Sequence, residues 1–273
     1  MAKRAVEHLR RMRGGAQSHL MRCDDGNYYV VKFQNNPQGG RVLANEMLAG
    51  RLALTLGLPV TVPEVIEVSD WLVDHSPEMY IQRGSERIRC ASGLQFGSRF
   101  PCDPLRSAVY DFLPDTLLEK ISNCEDLLGA LVFDKWTCNC DSRQFVFHQH
   151  FPHQYTATMI DQGFCFNASE WDFPDAPARG VYPRPAVYAG VSGLHSFEPF
   201  LTRLSHLDCE ILEEAAARIP PEWYEARVDD LGALVQALWE RRNRVASLIL
   251  ECRQAKNNPF PSWKSGGAGL EAM

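Results

Sequence analysis

The chain has 273 residues, 45% hydrophobic and 23% charged, with a formal net charge of −6. That mixture suits a soluble globular protein of one large domain or two lobes, and the acidic balance leaves no electrostatic footprint for DNA or RNA. Apolar runs of about seven residues fall far short of the ~20 that span a bilayer, and the basic run from Lys3 to Arg13 has no apolar stretch behind it, so no signal peptide or membrane span is expected and the reading is cytoplasmic. Most of the nine cysteines sit singly in apolar segments (Cys23, Cys90, Cys209, Cys252), as small buried side chains do in a reducing compartment.

In chain order, a short segment with Val6 and Leu9 leads into a turn-rich loop, Arg13-Gly14-Gly15-Ala16-Gln17-Ser18. Strands over 18–23 and 28–33 then flank a hairpin turn, Asp24-Asp25-Gly26-Asn27. After a polar loop, Leu43, Met47, Leu48, Leu52, Leu54 and Leu56 recur at helical spacing, with Gly57 as C-cap. "LPVTVPEVIEV" is extended, and the Gly-punctuated "SGLQFGSRFP", residues 92–101, reads as a connector between lobes. Asn123 suits the N-cap of a helix that delivers Asp134. A second hairpin, "RQFVFHQH" and "YTATMID", ends at Asp161. Residues 166–193 form a long loop, followed by helices at about 196–206, 209–218 and 230–254 and a loose tail from 257.

Phosphoryl transfer from a nucleotide needs a cation on the phosphates, backbone N–H groups over them, a carboxylate at the acceptor hydroxyl and oxygen ligands for magnesium. The chain offers such parts in order. Gly14, Gly15, Gln17 and Ser18 lie between the first two strands, where backbone donors would cover phosphates. Lys32 sits on the strand "YVVKF", and Glu46 in the following helix is its candidate ion-pair partner. Asp134 and Asn139 have the D-x-x-x-x-N spacing of a kinase catalytic loop, and Asp161-Gln162-Gly163 supplies a D-x-G at a strand end. Each piece alone is commonplace: a strand lysine usually snorkels, and a Gly-Gly turn is usually only a turn. Their order is what points to a nucleotide site. His148, His150 and His153 form a second candidate cluster, but no cysteine or acid completes a metal set, so a solvated turn is the favoured reading. Asp141 and Arg143, just after Asn139, are expected to order the loop by an ion pair, or Asp141 to touch a second metal.

The phrases "VVKFQNNPQGGRVLANEMLAGRLALTLGLPV", "GLQFGSRFP", "LVFDKWTCNCDSRQFVF" and "MIDQGF" resemble the HipA-like kinases of bacteria, more distantly the phosphatidylinositol kinases, over roughly residues 12–250. The resemblance implies an α+β two-lobed kinase-like fold, with a β-rich N-lobe over 1–97, a mostly helical C-lobe over 98–256 and a flexible tail over 257–273. It implies ATP and Mg²⁺ as cofactors, Asp134 as catalytic base, Asn139 and Asp161 as magnesium ligands and Lys32 as the phosphate lysine. Adenine would be held by backbone groups of the connector, around Leu94, Gln95, Phe96 and Gly97. It further implies γ-phosphoryl transfer to a hydroxyl, with a protein Ser/Thr, a lipid and a small molecule all open as acceptors. A silent pseudokinase and an AMP-transferring enzyme are the competing readings. Val132-Phe133 stands where eukaryotic protein kinases carry His-Arg. Because the chain opens almost at the phosphate loop, a toxin–antitoxin role is not expected to carry over.

Overall fold

The computed structural model describes residues 2–151 and 154–264, and of His150 the backbone only. Three strands, β1 (Lys3–Arg11), β2 (His19–Cys23) and β3 (Tyr28–Lys32), form a meander. Alternation sends Met21, Cys23, Tyr29 and Val31 to one face, where they pack with Ile66 and Val68. Helix α1 (Arg41–Thr55) follows, and Gly57 takes the left-handed conformation just after it (φ +73°). Next come β4 (Pro63–Val68), the short α2 (Asp70–Asp74), a hairpin of β5 (Tyr80–Arg83) and β6 (Glu86–Arg89), and β7 (Gly93–Arg99). The order β1-β2-β3-β7-β4 closes into a barrel through parallel pairing of Lys3 with Ile66 and Arg4 with Glu67. Closure leaves this sheet no free edge.

The remainder contains β8 (Val109–Tyr110), α3 (Asp126–Thr137), β9 (Gln144–Phe151), β10 (Gln154–Ile160), α4 (Phe200–Ser205), α5 (Cys209–Ala216), α6 (Val228–Arg241) and α7 (Val245–Gln254). Strands β8, β9 and β10 make a small three-stranded sheet. Helix α1 is buried on nearly every side, because one flank meets the barrel and the other the C-lobe core of Leu127, Leu131, Phe133 and Trp136. Among the described residues no helix is long and apolar enough to cross a membrane.

Several sequence expectations change. The connector over 92–101 is mostly strand β7, paired on both sides, and a lobe boundary at 97 would cut it. The expected helix over 230–254 is two helices parted by a 3-10 turn at Arg242–Arg244, although its stripe of Leu231, Leu234, Leu238, Val245, Leu248 and Cys252 is buried throughout. Asn123 does not cap α3; its amide bonds the N–H and C=O of Ala157 in β10. The tail is anchored as far as it is described, with Phe260 fully buried against Tyr188, Phe197 and Trp263. Residues 265–273 lie outside the described residues.

Candidate active site

Lys32 is the last residue of β3, on the face opposite the barrel interior. Its ammonium ion-pairs with Glu46 of α1 and lies 2.6 Å from Asp161 Oδ1, at the end of β10. The second oxygen of Glu46 accepts the backbone N–H of Gln162 at 3.0 Å, so α1 is tied both to the lysine and to the D-x-G turn. Asp161 has a positive φ of 61°, a conformation that Asp tolerates better than most residues. Gln144, opposite Ile160 in the β9–β10 register, donates its amide to Asp161 Oδ2 at 3.3 Å. Burial opposes charge on all three ionised groups. The two carboxylates nevertheless hold Lys32 above the usual lysine range, and Lys32 holds Asp161 below its ordinary value. Glu46, more deeply buried, is pushed up despite the lysine.

The turn after Asp161 is gripped by the first half of α1. Buried Asn45 donates its amide to the carbonyls of Gly163 (2.8 Å), Cys165 (3.1 Å) and Ala168 (2.7 Å), and accepts Trp171 Nε1 at 2.7 Å. Arg41 lies over the Trp171 ring and donates to Ser169 O. Gly163 is needed for closeness rather than for an unusual φ: a Cβ there would sit 2.6 Å from Val42 Cγ1.

Asp134 stands elsewhere. Helix α3 runs past it to Thr137 and ends on Cys138, which is left-handed at φ 52°. The Asp134 side chain has no exposed surface, and Gly180 packs on its Cβ. Arg143, equally buried, clasps both carboxylate oxygens, and Asn139 Nδ2 donates to Oδ1 at 3.1 Å. Arg143 also donates to Ile160 O at 3.1 Å, next to Asp161. Neither Asp134, as expected base, nor Asn139, as expected magnesium ligand, presents an oxygen to the Lys32–Asp161 cluster; Asn139 Oδ1 accepts the N–H of Asp141 at 3.2 Å. They form a buried clamp across the loop 138–143. Asp141, by contrast, is exposed on that loop.

Gly14 and Gly15 form the tip of the β1–β2 loop, with Gly14 at φ +121° and open space where a Cβ would be. Gln17 and Ser18 brace its base. The Gln17 amide bonds the N–H and C=O of Gln82 in β5, and the carbonyl of buried Ser18 accepts Met12 N–H. Leu94, Gln95, Phe96 and Gly97 are likewise occupied. Their backbones pair with β3 and β4, Leu94 O accepts Trp223 Nε1, Gln95 is fully buried with its amide oxygen on Gln34 N–H, and Phe96 packs on Trp223. These residues are thus part of the barrel wall rather than a free connector. A cavity of about 510 Å³ opens just beyond β7, lined by Tyr28, Val60, Phe100, Cys102, His148 and Thr158. Gln144 and His148 alternate onto one face of β9, so this cavity and the Asp161 cluster share that side of the hairpin.

Asp161 and Gln144 offer the oxygen donors a hard divalent cation prefers. Among the described residues no group of three His, Cys, Asp or Glu is placed to hold a metal. His153 and the side chain of His150 lie outside the described residues. The ion pair expected of Arg143 goes to Asp134 rather than Asp141, and Gln144 and Asn45 are additions to the expected site; one signal was available, since a polar residue opening the strand after the loop pairs beside the D-x-G turn.

The fold resembles several solved kinases, each with a TM-score of 0.51. The Golgi casein kinase with Mn/ADP bound shares 13% identity and is matched over 93% of this chain and 73% of its own. The Helicobacter pylori proinflammatory kinase CtkA shares 12%, over 87% and 96%. Shewanella oneidensis MR-1 HipA, from a complex with HipB and operator DNA, shares 13%, over 92% and 69%. No curated protein matches the chain by sequence. The family model of the HipA-like kinases matches residues 5–147, more than half the chain. The chain therefore belongs to the HipA-like kinase family, with a two-lobed α+β kinase fold and a phosphotransferase's function.

Proposed function

We propose that the protein transfers the γ-phosphoryl group of ATP to a hydroxyl acceptor with a divalent cation, Mg²⁺, as cofactor. The convergence of Lys32, Glu46 and Asp161, brought together from three separate elements, carries this reading. Lys32 would meet the phosphates, Gly14 and Gly15 would lie over them, and the base would occupy the cavity beyond β7. Asp161 and Gln144 would hold the cation, which when bound neutralises charge on the phosphate oxygens.

Asp141, not Asp134, is the carboxylate free to receive the acceptor's proton. It is exposed, and its loop is pinned at Asn139 and at Arg143. The acceptor oxygen bonds to the γ-phosphorus as its proton passes to the Asp141 carboxylate, and the bond to the β–γ bridging oxygen breaks to release ADP. The Golgi casein kinase structure, with Mn/ADP bound, supports nucleotide and metal use on this fold.

The test uses thermal shift with ATP, with and without Mg²⁺, then transfer of label from γ-labelled ATP. Asp141→Asn should keep the ATP-dependent shift and lose at least ~100-fold in transfer, as removal of a general base does. Full activity in Asp141→Asn would overturn the assignment, and label transferred from the α-phosphate would mean AMP transfer instead.

A further inference from the structure

We propose that the phosphate loop and the β5–β6 hairpin form a docking lip for an acidic segment of a polypeptide acceptor; this rests on the kinase reading above. The two pieces are one unit. The Gln17 side chain bonds the N–H of Gln82 at 2.7 Å and its C=O at 2.8 Å, standing in for a neighbouring strand. The Tyr80 ring carries two guanidiniums, Arg11 at 4.1 Å and Arg87 at 4.5 Å from its centre. Arg11 donates to Gln17 Oε1 at 3.0 Å, and Arg87 is the cross-strand partner of Gln82. Arg13 on the loop and Arg83 at the hairpin end are exposed beside them.

None of these four arginines forms an ion pair among the described residues, whereas Arg4 and Arg22 of the barrel and Arg89 at the far end of the hairpin all do. Glu78 and Glu86 are the carboxylates nearby, and neither ion-pairs with them; Glu86 faces Arg83 in the hairpin register. Like charges gathered on one ring cost energy that an anion would relieve. A guanidinium flat on an aromatic ring keeps its edge N–H groups aimed outward, in the fork that fits a carboxylate.

The chain's net charge of −6 disfavours a nucleic acid as occupant. A membrane is disfavoured because no exposed large apolar side chain lies on the hairpin or on residues 12–18. Gly14 and Gly15 belong to this lip, so a segment docked there lies beside the site of transfer.

The experiment measures anisotropy of two labelled peptides on the full chain without nucleotide, one with a single Ser flanked by Asp and Glu, the other with the Ser flanked by Lys. Wild type should bind the acidic peptide at least ~10-fold tighter, with affinity falling steeply as salt rises. Arg83→Gln/Arg87→Gln should lose most of that preference while its melting temperature and basal ATP hydrolysis stay unchanged. Equal binding of both peptides, an acidic preference that survives the double substitution, or tighter arginine-dependent binding of duplex DNA or of anionic vesicles would each overturn the proposal. Peptide binding that persists in a chain showing no phosphoryl transfer would leave the lip standing and reject the kinase reading instead.

Discussion

Arg143 holds both oxygens of Asp134 inside the protein, and neither side chain has any exposed surface. One partner lies in the last turn of α3 and the other immediately precedes β9, so the pair closes the loop that carries Asp141. Removing one member of such a pair strands the other's charge, at a cost of about 3–5 kcal/mol. Asp134→Asn should therefore lower the melting temperature by many degrees. Asp141→Asn should leave it within a degree or two and abolish turnover. Denaturation and initial-rate measurements on the two proteins check this; equal stability losses would reject the distinction between clamp and base.

Lys32 stands between two carboxylates, and its removal should change what they contribute to the pH dependence of stability. In the wild type Asp161 is held below its unfolded value, so its contribution is present above the unfolded value and is lost as pH falls through the folded one. In Lys32→Met, burial acts on Glu46 and Asp161 with only the Arg143 charge left to favour ionised Asp161, so both folded values move upward. Such groups stabilise at low pH and lose that stability as pH rises through the folded value. Relative to wild type, Lys32→Met should therefore lose less stability at pH 5 than at pH 8, and its ATP-dependent shift should vanish. Melting curves across this range, with and without ATP, are the check.

The Lys32–Glu46–Asp161 cluster was legible because each residue rests on local periodicity: strand alternation at Lys32, one helical turn at Glu46 and a strand end at Asp161. The D-x-x-x-x-N spacing brings Asp134 and Asn139 to each other rather than to the Lys32–Asp161 cluster, because a helix that ends on a left-handed residue folds its fifth neighbour back onto the carboxylate. Asn139 does so here, with its N–H on Asp134 O at 3.1 Å. Only the long-range pairing with Arg143 separates the two cases, and spacing carries no record of it. The connector failed for a related reason. Gly97 looks like a breaker, yet it sits where Ile66 leaves no room for a Cβ. Glycine marks close approach as readily as it marks a turn.

Gly163→Ala tests that close approach at the active site. The new Cβ would lie 2.6 Å from Val42 Cγ1 and 3.2 Å from Glu46 Oε1, so α1 must retreat and carry Glu46 with it. Transfer should fall at least ~10-fold, since displacements of about an ångström have that effect. Val42→Ala in the same chain should restore much of the rate by making room. A double variant no better than the single one would show that the loss does not run through α1.

His19 sets an acid limit on the barrel. It is fully buried, its Nδ1 lies 3.0 Å from His8 Nε2, and Cys90 Sγ lies 3.6 Å from its Nε2. Burial, followed by His8 and Arg11, lowers it to about 3 from the ordinary 6.5. The unfolded chain then takes up a proton below about pH 6.5 that the folded chain refuses, so stability falls with pH from there toward pH 3. A complete shift is worth about 1.4 kcal/mol per pH unit, so the wild type should lose about 1–2 kcal/mol between pH 7 and pH 5. His19→Gln, which cannot titrate, should flatten that slope even if it is less stable at pH 7. Urea denaturation at both pH values measures it, and an unchanged slope in the variant would place the acid sensitivity elsewhere.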